Sequence, residues 1–258
     1  MKHYSSLWFL LFALFQFGDC IANEIQVEQI YSADEINLFD LPLATMGNYG
    51  LFCASGNKIL SLEDSNNLTL SSIEISDSIQ IDNFFFIGDK LLLKHKESVI
   101  WSDSKGNFDG ISFEDSRFNI CSGTDSTFFI IRPKEHIVLE ISIETKMPIY
   151  SYNINEIPIL VGKFGNSTLL VCNNSIYINY DNETRLLHKH LVDIKTAAIT
   201  PLGIYFGTDE ALWRIISTDE LELVANGSVN KIIGAGRTLY VLDGTGSLFK
   251  IFLTPKDE

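Results

Sequence analysis

Basic residues are scarce in this sequence. The 258 residues include 19 Lys and Arg against 33 Asp and Glu, which gives a formal net charge of −14 at neutral pH. A surface this acidic repels nucleic-acid phosphates and anionic membrane headgroups. We therefore expect neither nucleic acid nor membrane as a partner, whereas a cationic protein partner is compatible with this charge.

Catalytic motifs are also lacking. The chain contains no G-x-S-x-G, phosphate-binding loop, H-E-x-x-H or C-x-x-C motif. Asp34-Glu35 and Asp209-Glu210 are interpreted as solvated loop carboxylates, because no specific neighbour accompanies them. Asp243-Gly244-Thr245-Gly246 resembles part of a calcium loop, but its ligand alternation is not sustained, so a hairpin turn explains it better. We expect no cofactor and no metal, and the sequence favours a protein that is not an enzyme.

Histidine is rare as well, with five residues in the chain. His188 and His190 lie on one face of a predicted strand, but no spacing identifies the further ligands that a metal would need. We therefore favour a solvent-facing strand over a metal site. His95 and His136 lie in polar turns and are also interpreted as solvated.

Long apolar runs are absent except at the start, where the segment from Leu7 to Phe17 is followed by Cys20-Ile21-Ala22. Such a run is too short to span about 30 Å of hydrocarbon. Its position and the small residues after it are typical of a secretory signal peptide. We predict a signal peptide over residues 1–22, cleavage after Ala22, and a secreted, extracellular, monomeric product that forms one domain over residues 23–258.

Cysteines are too few for a disulfide framework. Cys53, Cys121 and Cys172 follow the predicted cleavage site, and an odd number leaves at least one thiol free or paired with another chain. Sequons, by contrast, are frequent and suggest a glycoprotein, with coincidence in an Asn-rich chain as the alternative. The five N-x-[ST] triplets begin at Asn67, Asn166, Asn173, Asn182 and Asn226.

What the chain does contain is a repeat. Hydrophobic strand, polar turn and second hydrophobic strand recur at intervals of about 35–41 residues, with a further strand candidate before each hairpin and after most of them. The six hairpins begin at Leu51, Leu91, Phe128, Leu169, Ile204 and Leu239. Four strands per unit predict an all-β, six-bladed β-propeller; five or seven blades, a sandwich and an open solenoid are the alternatives.

The two ends of the chain predict how the ring closes. The last unit has too few residues after Phe249 for a fourth strand, whereas the segment from Glu24 to Ile30 alternates polar and apolar residues and has no partner of its own. Pairing that segment with the last unit closes the ring and removes two sheet edges. Cys53 and Cys172 would then lie on opposite blades, too far apart for a disulfide.

The predicted inner strands indicate the nature of the central channel. They are residues 44–49, 82–88, 117–121, 160–164, 196–200 and 232–235. They carry only Asp82, Arg117 and Lys163 as charged residues, and Phe84, Phe86, Phe118 and Phe164 make them aromatic. Such strands fit either a hydrophobic or planar ligand or a tightly packed ring, and these four phenylalanines are the candidate ligand contacts.

The last two hairpins resemble degenerate repeats of the six-bladed TolB-like superfamily. Tyr240-Val241-Leu242-Asp243 keeps the Tyr and the Asp of that superfamily's Tyr-Trp-Thr-Asp motif. The segments 192–195, 203–206 and 211–213 are similar to the repeat of insect ommochrome-binding proteins, a resemblance that implies a secreted carrier of a pigment or another small hydrophobic molecule. Gluconolactonase-like propellers share the fold, but their converging Glu, Asn and Asp ligands are not found in the inner strands.

These features favour a secreted, non-enzymatic propeller that binds a small, hydrophobic or pigment-like ligand. An extracellular protein-interaction module that uses an acidic face is the alternative. A metal-dependent, lactonase-like hydrolase is the second alternative.

Overall fold

The computed structural model describes residues 26–34, 37–46, 50–62, 73–75, 79–88, 90–102, 107–181, 183–218 and 220–253. The predicted signal peptide and the sequons at Asn67 and Asn182 lie outside these residues. No helix among them is long and apolar enough to cross a bilayer.

The described residues form six four-stranded antiparallel sheets, here called blades. Blade 1 contains β2 (Leu43–Thr45), β3 (Leu51–Ser55), β4 (Lys58–Ser61) and β5 (Ile73–Glu74), and blade 2 contains β6 (Asn83–Ile87), β7 (Lys90–His95), β8 (Ser98–Ser102) and β9 (Phe108–Ser112). Blade 3 contains β10 (Asn119–Ser122), β11 (Thr127–Arg132), β12 (Ile137–Ser142) and β13 (Pro148–Asn153), and blade 4 contains β14 (Leu160–Phe164), β15 (Ser167–Val171), β16 (Ser175–Tyr180) and β17 (Glu183–Lys189).

Blade 5 contains β18 (Thr196–Thr200), β19 (Gly203–Gly207), β20 (Ala211–Ser217) and β21 (Glu220–Asn226). Blade 6 contains β22 (Val229–Ala235), β23 (Thr238–Asp243), β24 (Leu248–Phe252) and, from the other end of the chain, β1 (Gln26–Tyr31). The first strands of neighbouring blades contact one another in succession, and β22 contacts β2. The protein is therefore an all-β, six-bladed propeller, as the repeat predicts.

Ring closure follows the predicted arrangement. β1 pairs antiparallel with β24, from Gln26 opposite Phe252 to Tyr31 opposite Leu248. The Tyr31 hydroxyl donates a hydrogen bond of 2.8 Å to the carbonyl oxygen of Leu62 in blade 1. The N-terminal strand therefore completes blade 6 and also ties it to the next blade.

The inner strands are close to those predicted. β14 and β18 have the predicted bounds, and the other inner strands overlap the predicted ranges. The strand predicted from Arg117 begins only at Asn119, because the Arg117 amide donates to the Asp115 carboxylate and so forms a turn. Residues 47–49 of the first predicted inner strand lie outside the described part of the chain.

Inner strands approach one another closely where a residue is small. A Cβ atom on Gly162 would lie 2.7 Å from the Ile199 Cδ1 of blade 5. The side chains of inner strands therefore face the neighbouring blades, and apolar clusters fill these interfaces. The largest cluster joins blades 1, 2 and 3 around Phe84, Trp101 and Phe128.

The three described cysteines are buried, free thiols. Burial raises the pKa of Cys53 and of Cys121 to about 11, and that of Cys172 to about 12. Thiols with such pKa values stay protonated at neutral pH and pack as small apolar groups. This agrees with the expectation that Cys53 and Cys172 are not bridged.

Candidate functional site

The four candidate phenylalanines differ in their accessibility. Phe84 and Phe118 are 1% and 4% exposed and pack inside the cluster of blades 1 to 3. Phe86 is partly buried, with its ring centroid 5.2 Å from that of Phe52 in blade 1. Phe164, at the end of β14, is 37% exposed. At three of the four positions, the phenylalanine side chain thus packs neighbouring blades against each other. Ligand contact by these residues stays a prediction.

Among the described residues, the interface between blades 3 and 4 offers space that a ligand could enter. Two pockets open there, one of about 290 Å³ and one of about 170 Å³. The polar pocket, as we name the larger, is lined by Tyr150, Tyr152, Lys163, Asn166, Thr168, Asn179, Tyr180 and Asp181. The apolar pocket, as we name the smaller, is lined by Asn153, Ile154, Asn155, Glu156, Leu170, Cys172, Tyr177, Thr184 and Leu186.

A buried ion pair forms the floor of the polar pocket. Glu140 of β12 has a side chain that is 3% exposed, and its Oε2 lies 2.8 Å from the Nζ of Lys163 on β14. The other carboxylate oxygen accepts a hydrogen bond of 3.0 Å from the Thr127 hydroxyl. A buried carboxylate is tolerated only when it is paired and hydrogen-bonded in this way.

Hydrogen bonds in this floor have a defined direction. Burial raises the pKa of Tyr152, so its hydroxyl stays protonated and donates to Glu140 over 3.3 Å. With that proton used, the 3.2 Å bond between Tyr152 and Thr168 must have Thr168 as its donor. Lys163 also donates to Thr168, over 3.0 Å. The floor is thus a network of hydrogen-bonded side chains that joins blade 3 to blade 4.

Two tyrosines form the walls of the polar pocket. Tyr150 on β13 and Tyr180 at the end of β16 are 54% and 62% exposed. Asp181 follows Tyr180 in the turn before β17 and has a φ of 52°, a left-handed conformation that Asp tolerates better than most residues. The turn therefore holds one ring and one carboxylate at the mouth of the pocket.

The apolar pocket combines hydrocarbon walls with a hydrogen-bonded pair and the polar side chains of Asn153, Asn155 and Thr184. Leu170 is buried, Leu186 is 51% exposed, and both line the pocket. The Tyr177 hydroxyl donates a hydrogen bond of 2.8 Å to the Glu156 carboxylate, which raises the pKa of Tyr177. Cys172 also lines this pocket, but its pKa of about 12 leaves it without thiolate at neutral pH.

Sequence reasoning missed Glu140, Tyr152 and both pockets. A signal did exist for Glu140, because this residue occupies a buried-face position two residues after Val138 in an otherwise apolar strand. Lys163 is one of the three charged residues in the predicted inner strands. The sequence did not show that the neighbouring blade brings these two charges together.

His188 on β17 and His190, which follows this strand, lie at a different interface, against blade 5. The His190 ring centroid lies 5.0 Å from that of Phe206 and 5.8 Å from that of Trp213, and His188 is 5.8 Å away. Both rings are partly buried, so the expectation of a solvent-facing pair is wrong. Desolvation, followed by the nearby His188, lowers the pKa of His190, and Glu210 opposes this effect.

We predict that His190 makes the protein sensitive to acid. A lowered pKa in the folded state means that this residue's contribution to stability is complete above its ordinary pKa of 6.5 and is lost as the pH falls through the lowered value. Replacing His190 by glutamine should reduce the fall in Tm between about pH 7.5 and pH 5.5. His136→Asn is the control, because His136 is exposed. An unchanged pH dependence in His190→Gln would contradict the prediction.

The other predicted polar features are turns and surface residues. The Asp243 carboxylate accepts hydrogen bonds of 2.8 and 2.9 Å from the amides of Thr245 and Ser247, as in a hairpin turn. Asp34, Asp209 and Glu210 are exposed, and His136 is exposed while His95 is partly buried beside the Gln80 carbonyl oxygen. Within the described ranges, no three His, Cys, Asp or Glu side chains are grouped to hold a metal ion.

The sequons at Asn166, Asn173 and Asn226 lie on exposed residues. Asn166 is in the turn between β14 and β15 and lines the polar pocket. Glycosylation of these residues stays a prediction.

Comparisons with known proteins support the fold alone. No protein-family model and no curated protein matches the chain. Among solved structures, virginiamycin B lyase from Staphylococcus aureus with quinupristin has a TM-score of 0.60 at 12% identity, over 90% of this chain and 100% of the lyase. The Cps50 (Swd1) β-propeller domain of Myceliophteria thermophila has a TM-score of 0.57 at 12% identity, over 83% and 82% of the two chains.

A chain of the nidogen–laminin complex is also similar, with a TM-score of 0.58 at 11% identity, over 74% of this chain and 84% of that chain. The similar structures thus include a lyase and members of protein complexes. At these identities they establish that the chain shares the propeller fold, and they do not assign it to a family or to an activity.

Proposed function

We propose that this protein is a secreted, monomeric, non-catalytic propeller that carries a small hydrophobic or pigment-like ligand in the apolar pocket between blades 3 and 4. One observation carries the proposal: Ile154, Leu170 and Leu186 line this pocket beside the hydrogen-bonded pair of Tyr177 and Glu156. Apolar walls with few polar groups are typical of small-molecule sites. The pair fixes the orientation of a ligand, and the walls supply the affinity.

The chemistry of the interface favours binding over catalysis. Cys172 would be the nucleophile of the apolar pocket, but its pKa of about 12 keeps it protonated. Glu140 and Lys163 form an ion pair with each other, with 2.8 Å between Oε2 and Nζ. These groups are suited to holding two blades in place.

A charge placed in the wall of the apolar pocket should abolish this binding. Leu186 is half exposed, so Leu186→Arg is tolerated by the fold but brings a guanidinium to the pocket. We expect native mass spectrometry of the protein from secreting eukaryotic cells to show a bound small molecule in the wild type and none in Leu186→Arg. Leu191→Arg is the matched control, because Leu191 is fully exposed at 102% and does not line the pocket. A wild-type protein without extractable ligand would count against the proposal.

A protein-interaction module is the second candidate. Large apolar side chains are exposed on the outer parts of blades 3 and 4, among them Met147 at 63% and Ile149 at 46%. Exposed apolar groups close together mark interaction surfaces. The net charge of −14 favours a basic partner, so affinity capture should recover one, and salt should weaken the complex.

A further inference from the structure

From the polar pocket we infer that blades 3 and 4 carry a second binding site, one that takes a neutral carbohydrate ring. This site is separate from the apolar pocket and does not depend on the proposed function. The volume of the polar pocket, about 290 Å³, is just below the range of about 300–1,000 Å³ for ligand pockets, which suits a ligand of one or two rings.

The floor of the polar pocket selects against charged ligands. Lys163 and Glu140 neutralise each other, and both are held by further hydrogen bonds. An anionic ligand would meet the mouth carboxylate of Asp181, and a cationic ligand would meet the Lys163 ammonium. A neutral ligand meets no such repulsion and leaves the ion pair intact, so it does not expose either buried charge.

The floor nevertheless offers a hydrogen bond to a neutral ligand. Among the described residues, the Lys163 ammonium has two acceptors, Glu140 and Thr168. An ammonium carries three protons, so one remains for a ligand oxygen such as a hydroxyl. This donor lies inside the pocket, where a hydrogen bond from a charged group contributes more than it does in water.

The rim of the pocket complements a ring of hydroxyl groups. Asn179 donates from its amide nitrogen to Thr184 over 2.8 Å, which leaves its carbonyl oxygen as an acceptor. Asp181 adds carboxylate acceptors, and Asn166 adds an amide with both a donor and an acceptor. Because each hydroxyl of a sugar both donates and accepts, this mixture suits neighbouring hydroxyls, whereas a hydrocarbon ligand would leave these groups unpaired.

The walls of the pocket complement the faces of a sugar ring. Tyr150 and Tyr180 are both more than half exposed, so their rings are available to a ligand. A pyranose has apolar C–H faces between polar edges, and an exposed aromatic ring removes such faces from water. Aromatic walls with polar edges thus match the amphipathic shape of a neutral sugar.

The test is a titration of unglycosylated protein, so that no glycan on Asn166 occupies the pocket. The probes are the methyl glycosides of glucose, galactose, mannose and N-acetylglucosamine, with glucuronate and glucosamine as charged counterparts. Binding is followed by ligand-observed NMR. We expect at least one neutral glycoside to bind and the charged sugars to bind more weakly.

Two variants locate the binding. Tyr180→Ala should weaken binding about fivefold, as expected for the loss of one ring contact, and Phe108→Ala is the matched control because Phe108 is 50% exposed in blade 2. Asp181→Gly should also weaken binding, since glycine keeps the positive φ and removes only the acceptors.

Three results would overturn the inference: no neutral glycoside binds, charged sugars bind as well as neutral ones, or Tyr180→Ala and Asp181→Gly leave binding unchanged. Leu186→Arg separates this inference from the proposed function, because it should leave glycoside binding intact. A protein that binds glycosides but contains no hydrophobic ligand would therefore refute only the proposed function.

Discussion

Replacement of Glu140 by leucine is expected to lower the free energy of unfolding by about 3–5 kcal/mol, the cost of leaving one partner of a buried ion pair without the other. Glu140 is almost fully buried, whereas the Lys163 side chain keeps 20% of its surface exposed. Lys163 can therefore reach some water after the change, and we expect the lower end of this range. Urea unfolding followed by tryptophan fluorescence measures the loss.

Two controls separate pairing from burial. The double variant Glu140→Leu with Lys163→Leu should be more stable than Glu140→Leu alone, because it leaves no unpaired charge. Glu183→Leu removes the partner of Arg185 in an exposed ion pair on β17 and should cost less than about 1 kcal/mol. If the double variant lost as much free energy of unfolding as the sum of the losses in Glu140→Leu and Lys163→Leu, the two residues would not be coupled.

Deletion of residues 26–31 is expected to abolish the folded ring. This segment is β1, and its removal leaves β24 as an unpaired edge and uncovers apolar residues of blade 6. It also removes the hydrogen bond from Tyr31 to Leu62. We expect the shortened chain to aggregate or to elute as an expanded species in size-exclusion chromatography.

A peptide added in trans is the control for this deletion. A synthetic strand with residues 25–32 should bind the shortened chain by pairing with β24 and should restore its compact elution. A peptide with Val27 and Ile30 replaced by aspartate should not, because both residues pack against apolar clusters. A shortened chain that stays compact without any peptide would contradict the role of β1.

Much of this fold could be predicted because the local order of hydrophobic and polar residues determines each hairpin. Each hairpin consists of a hydrophobic strand, a polar turn and a second hydrophobic strand. This order does not depend on contacts between distant residues. The closure was also predictable, because a lone alternating strand at one end matched a missing strand at the other. The inner strands then followed from their place before each hairpin.

The pockets could not be predicted, because they depend on which face of one blade meets the next. Glu140 and Lys163 lie on different blades, and a shift of one residue in either strand would separate their side chains. The same reason explains why the location of the Phe84 and Phe118 side chains could not be predicted. Their place in the predicted inner strands suggested the central channel, but their side chains pack in the interface between blades.

Because β1 and β24 run side by side in opposite directions, residues 26 and 252 are direct neighbours on blade 6. In a ring of six blades, blade 6 stands across from blade 3. A group attached at residue 26 or residue 252 is thus on the far side of the ring from both pockets. A protein immobilised through residue 26 or residue 252 should therefore present its blade 3 and blade 4 surfaces outward, with unobstructed access from solution.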